Sequence, residues 1–152
     1  MERSWWSDYW IRVGRIGSLN KHTYLLDTSA VLTFLEDEDG AERVETLLRQ
    51  EEILLPYLVL LETYYITLQK QPEDVADKRY ALLKQLPASI LWEVDEPTLL
   101  TAGRFKAYHL LSLADAIIAA FAQRQGAILV RKDPELEALA DFVEQEVLPY
   151  KI

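Results

Sequence analysis

The chain has no cysteine, which removes disulfide scaffolds, thiolate metal sites and cysteine nucleophiles together. Histidine is nearly as scarce, at two residues. A metal ion would therefore rest on oxygen ligands, which favours Mg²⁺ or Mn²⁺ over Zn²⁺. Glycine and proline number five and six among 152 residues, too few for a collagen-like or low-complexity chain. Basic residues are the minority charge: 16 Lys and Arg stand against 25 Asp and Glu, a net charge of −9. That sign excludes nucleic-acid binding by bulk electrostatics, so such a substrate would need a local basic rim or bridging cations. No apolar run reaches the roughly 20 residues of a membrane-spanning helix, because Glu62 and Asp115 interrupt the two most apolar segments. The start of the chain shows neither an apolar signal core nor a cleavage motif, and a soluble, cytoplasmic protein is expected.

What is present suits one globular domain. Half of the residues are hydrophobic and 27% are charged, and a chain of this length buries about 70% of the surface it exposes when unfolded. Residues 1–23 stand apart, holding Trp5, Trp6 and Trp10 without helical or strand periodicity. They read as a Trp-rich extension that packs on the domain or on a partner. Residues 24–152 alternate short apolar runs with longer amphipathic segments, which predicts an α/β fold with a parallel sheet. Strands are expected at 24–26, 53–55, 90–94 and 127–130, with a last one near Val147. Helices are expected at 29–35, 41–50, from Pro56 to about 70, 75–86 and 97–108. A further helix opens at Ser112 and ends at Gly126, and a short acidic one starts at Pro134.

Most acids lie in mixed polar runs such as EDEDGAE at 36–42, where a solvated surface explains them. Four do not. Asp27 follows the strand 24–26 directly and is the only charge between His22 and Glu36. Glu62 is the only charge in LPYLVLLETYYITL, and Asp115 the only one in LLSLADAIIAAFAQ. Asp133 lies three residues beyond the strand ending at Val130. An unpaired buried carboxylate costs several kcal/mol, and no Lys or Arg stands one helical turn from Asp27, Glu62 or Asp115. Ligand sites in open α/β sheets form outside the carboxyl ends of the strands, where Asp27 and Asp133 would lie. Helices feeding Glu62 and Asp115 to the same edge would gather four carboxylates that cannot all ionise without a divalent cation. Individually, Asp27-Thr28-Ser29 and Asp133-Pro134 also read as helix caps, and Glu62 and Asp115 could pair with distant arginines.

The blocks LLDTSAVL, LLETYY and LSLADAIIAAFAQRQGAILVRKDPEL together resemble the PIN domain, in particular the VapC-type toxin ribonucleases of toxin–antitoxin pairs. The last block is the most specific, because an acid on an alanine-rich helix, a Gly-capped turn, a buried strand and a second acid follow in order. The resemblance implies a three-layer α/β/α fold with a mainly parallel sheet of four to five strands. It implies a catalytic, metal-binding quartet of Asp27, Glu62, Asp115 and Asp133 that holds Mg²⁺ or Mn²⁺ for phosphodiester hydrolysis of RNA. A cognate antitoxin, a homodimer and no membrane association are implied as well. Ser29 would orient Asp27 or contact phosphate, and Arg104, Lys106, Arg131 and Lys132 are candidates for a phosphate-binding rim. The family often has Thr or Ser where Arg131 stands, and an aromatic where Leu136 stands. Arg131 could contact phosphate or pair with Asp133 and weaken metal binding. That departure and the acidic surface motivate a second reading, a non-catalytic RNA- or protein-binding module. A phosphotransfer enzyme with an Asp27 nucleophile ranks last, because Ser29 occupies the place of its usual second acid.

Overall fold

The computed structural model describes residues 21–149, and the tryptophans of the N-terminal extension lie outside them. Five strands, β1 (Thr23–Leu26), β2 (Glu52–Pro56), β3 (Ser89–Leu91), β4 (Ile128–Arg131) and β5 (Gln145–Val147), form one sheet. All pairs are parallel and the spatial order is β3-β2-β1-β4-β5. Among the described residues six helices complete a three-layer α/β/α domain: α1 (Thr28–Leu35), α2 (Ala41–Gln50), α3 (Tyr57–Lys70), α4 (Glu73–Gln85), α5 (Glu96–Tyr108) and α6 (Leu113–Gln125). A 3₁₀ turn, Pro134–Leu139, replaces the short acidic helix expected there.

The central strands are apolar without alternation because a parallel sheet flanked by helices is buried on both faces. Leu25, Leu26, Leu129 and Val130 are all at most 1% exposed. Around them α2 contributes Ala41 and the stripe Val44, Leu47 and Leu48, the spacing of one helical face. Apolar on most sides, α6 packs chiefly against α5. Its ends are set locally: the Ser112 hydroxyl accepts the Asp115 amide at 3.1 Å, and Gly126 closes the helix at φ 61°, a conformation that costs glycine nothing.

Two expected boundaries differ. Pro56 is the last residue of β2, opposite Leu91, rather than part of the first helical turn. A proline has no amide to donate, so a strand end suits it as well as a helix start. The third strand stops at Leu91, and Trp92 and Val94 are exposed beyond it. An edge strand has neighbours on one side only, so apolar residues there do not guarantee pairing.

The order of strands positions the site. From β1 the chain steps outward to β2 and β3, then returns to the other side of β1 for β4 and β5. The connections leaving β1 and β4 therefore diverge and open a crevice at their carboxyl ends.

Candidate active site

Asp27 stands at that crevice as the N-cap of α1. Its Oδ1 accepts the Ala30 amide at 2.8 Å and the Ser29 hydroxyl at 2.7 Å. Its own amide donates to the Val130 carbonyl, fastening the end of β1 to β4. The residue is 3% exposed. Burial pushes its carboxyl up to about 7; the two hydrogen bonds oppose this, and the charges of Asp133 and Glu62 add to it.

Glu62 projects from the second turn of α3 and accepts the Thr28 hydroxyl at 2.6 Å. Asp115 lies in the first turn of α6, where the helix N-terminus favours an anion. It too is pushed up to about 7, first by burial, then by the Glu135 carboxyl within hydrogen-bonding reach, then by the charges of Asp27 and Glu62. Asp133 is exposed and caps the 3₁₀ turn, with Oδ1 accepting the Glu135 amide at 3.0 Å. The four expected acids thus share one electrostatic neighbourhood, although they come from four separate segments.

Ser29 joins the two sides. While its hydroxyl donates to Asp27, it also accepts the amides of Lys132 at 2.9 Å and Asp133 at 3.3 Å. One hydroxyl therefore sets the first acid against the loop that carries the last.

The basic residues named as candidates for a phosphate-binding rim sit in different settings. Arg104 is exposed on α5. Lys106 donates its Nζ to the Leu111 carbonyl at 2.8 Å. Lys132 is largely covered, with Nζ 4.0 Å from Glu38. Arg131 is only 5% exposed and points away from solvent: Nε donates to Gln145 Oε1 and Nη1 to the Asp133 carbonyl. A phosphate contact would strip those partners from a buried guanidinium. Nor does Arg131 pair with the Asp133 carboxylate; it braces the main chain beneath it.

Two contributors escaped the sequence reading. Glu135 faces Asp115 as a fifth carboxyl, but its setting in the acidic run DPELE resembled solvated surface. Thr28 holds Glu62, whereas in sequence it read only as part of a capping triplet. The proline-opened turn after Asp133 was the available signal for Glu135, because it folds the chain back at once.

The donor set fits a hard divalent cation. It consists of carboxyl oxygens, two of them held neutral at mildly acidic pH by burial and by neighbouring carboxyls. Among the described residues Asp27, Glu62 and Asp115 form no ion pair with Lys or Arg. Also among those residues, no three His, Asp or Glu side chains are gathered closely enough to hold a metal ion.

The family model of the PIN domain matches residues 24–141. Among solved structures the chain is similar to VapBC2 from Rickettsia felis bound to a DNA fragment from its promoter, with TM-score 0.69 and 16% identity over 84% of this chain and 99% of that one. It is similar to VapBC-1 from nontypeable Haemophilus influenzae, with TM-score 0.66 and 20% identity over 82% and 97%. A third likeness is to VapC20 from Mycobacterium tuberculosis, a Sarcin-Ricin loop cleaving toxin, with TM-score 0.64 and 19% identity over 83% and 99%. No curated protein matches the chain.

Proposed function

Because this chain belongs to the PIN domain family, we propose that it is a divalent-metal-dependent endoribonuclease and the toxin of a toxin–antitoxin pair. One observation carries the reading: the carboxyls of Asp27, Glu62 and Asp115 share the crevice of the sheet, and among the described residues none of them forms an ion pair with Lys or Arg. A fold gains nothing in stability from such an arrangement, so a ligand of opposite charge accounts for it. Asp27, Glu62, Asp115 and Asp133 would hold Mg²⁺ or Mn²⁺, with Glu135 beside them.

When bound, the ion supplies Lewis-acid activation of water and charge neutralisation at the scissile phosphate. The chain's own residues orient the ligands: Ser29 fixes the rotamer of Asp27, Thr28 that of Glu62, and the Ser112 cap the first turn of α6. Arg104 offers an exposed cation for substrate phosphate. Lys132 lends its amide to Ser29. The solved relatives named VapBC support a cognate antitoxin as partner, and a homodimer is part of the same proposal. Among the described residues no helix is long and apolar enough to cross a membrane.

The test is cleavage of a pool of structured and single-stranded RNA with Mn²⁺ or EDTA, beside Asp115→Asn. Cutting should need the metal and fall at least about a thousandfold in the variant, the scale lost when metal-assisted hydrolysis is disabled. Equal activity of the variant and wild type would overturn the proposal.

A further inference from the structure

Arg131 is 5% exposed, yet among the described residues its guanidinium forms no ion pair with Asp or Glu. Burying a cation without a counter-charge is costly, and here hydrogen bonds to main chain and amide offset it. Nε donates to Gln145 Oε1, and Nη1 donates to the Asp133 carbonyl at 3.0 Å. Gln145 in turn donates its Nε2 to the Leu136 carbonyl at 2.8 Å. Two side chains thus tie together the carbonyls at both ends of the segment 133–136, which opens the 3₁₀ turn.

This brace is anchored in the sheet. β4 and β5 pair with Leu129 opposite Gln145 and Arg131 opposite Val147, so Arg131 and Gln145 stand diagonally on one face of the ladder. The Arg131 carbonyl accepts the Leu148 amide and the Glu144 carbonyl that of Leu129, both at 2.8 Å. On the far side of the turn Leu136 and Leu139 are wholly buried. Between these anchors lie Asp133 and Glu135, both exposed. They are the carboxyls of the crevice that the core does not itself enclose.

Among the described residues no three acids stand close enough to hold an ion, so a cation has to draw the carboxyls together. Ligands whose supports are already ordered lose less freedom when they do so. We infer that Arg131 and Gln145 are positioning residues for the cation: their brace fixes the main chain under Asp133 and Glu135, so that side-chain rotation rather than backbone movement completes the donor set. Such a role rests on the divalent-metal reading of the site, and it is opposite in sign to the one the charge of Arg131 suggests. A guanidinium acting through charge alone would repel the ion, whereas one acting through its bonds strengthens binding.

Calorimetry of Mn²⁺ binding to the metal-free protein separates the two. Arg131→Met keeps most of the buried volume without the donors and should weaken binding about 10- to 100-fold, the range for groups that orient metal ligands. Arg131→Lys should not restore it, because one ammonium does not reproduce a planar fork that reaches two partners. Gln145→Leu alters no charge and should weaken binding in the same direction; it carries the test if Arg131→Met fails to fold by circular dichroism. Raised Mn²⁺ should return RNA cleavage to Gln145→Leu with an unchanged KM for RNA, since that side chain bonds only Arg131 and Leu136. Tighter binding by Arg131→Met, full affinity in Arg131→Lys, or wild-type affinity in Gln145→Leu would overturn the brace and leave the ribonuclease standing. A KM deficit that Mn²⁺ does not relieve would overturn it too, by placing the pair on the substrate. Absence of Mn²⁺ binding by wild type overturns both, and Mn²⁺ binding without cleavage overturns the ribonuclease while the affinities still decide the brace.

Discussion

The two walls of the crevice raise the pKa of an aspartate to the same place, about 7, by different means. On the inner wall Asp27 is sealed between β1 and α1, and burial acts against two hydrogen bonds that favour its charge. On the outer wall Asp115 is half-buried, and burial is helped by the facing carboxyl of Glu135. The inner wall is made by the core of the domain, whereas the outer one is completed by an exposed 3₁₀ turn. A shifted pKa alone therefore does not identify how a site is built; the groups around it do.

The largest expected difference between the walls is in stability without metal. Asp27 binds its proton more tightly in the folded chain than in the unfolded one, where its pKa is near 3.8. Its favourable contribution is complete below about pH 4 and is lost as pH rises through about 7, so the metal-free protein weakens over that interval. Asp27→Asn keeps a competent cap and removes the titration. At pH 8 it should stabilise the metal-free protein by roughly 2–4 kcal/mol, the order implied by a shift of this size. The gain should vanish near pH 4. Asp115→Asn should give clearly less, because solvent already screens part of its charge. Urea unfolding in EDTA across this pH range measures both; equal gains would erase the distinction between the walls.

Ser29→Ala attacks the joint. It removes a donor from Asp27 and leaves the amides of Lys132 and Asp133 without the hydroxyl they share. The cost should be about 1–2 kcal/mol, typical of a partly buried hydrogen bond whose partners are left behind. Amide exchange should quicken at Lys132 and Asp133 but not at Ala30, which still bonds Asp27. Unchanged exchange at Lys132 would mean that β4 holds the outer wall by itself.

The inner wall was far more legible in the sequence than the outer. Asp27 and Glu62 stood out because each was a lone charge in an apolar segment, as Asp115 did on the outer wall, and such contrast survives without knowledge of the fold. The strand 24–26, helix α2 and both caps of α6 were legible for a related reason: period, cap residue and stop signal are all local. The outer wall depends on contacts between distant segments. Nothing near Arg131 announces that it will turn inward to Gln145, fourteen residues away on β5. Glu135 sits among other acids, so its contact with Asp115 appears only once α6 and the 3₁₀ turn are brought together. The ends of β2 and β3 were misread because edge pairing and proline placement are decided by neighbouring strands.

The smallest expected effect is the sharpest on the comparison. Glu135→Gln removes a charge from the outer wall while retaining a side chain that can donate to Asp115. The Asp115 carboxyl should then titrate closer to the ordinary aspartate range, because its second-largest cause of elevation is gone. Asp27 should not move, since burial, Ser29, Ala30, Asp133 and Glu62 are what act on it. Carbon-detected NMR titration of the two carboxyls in EDTA separates them. A fall in both would show that the walls behave as one coupled unit with shared macroscopic pKa values. A fall in Asp115 alone would show that the exposed turn tunes its own acid independently of the core, and that changes in this turn can alter the outer wall without disturbing Asp27.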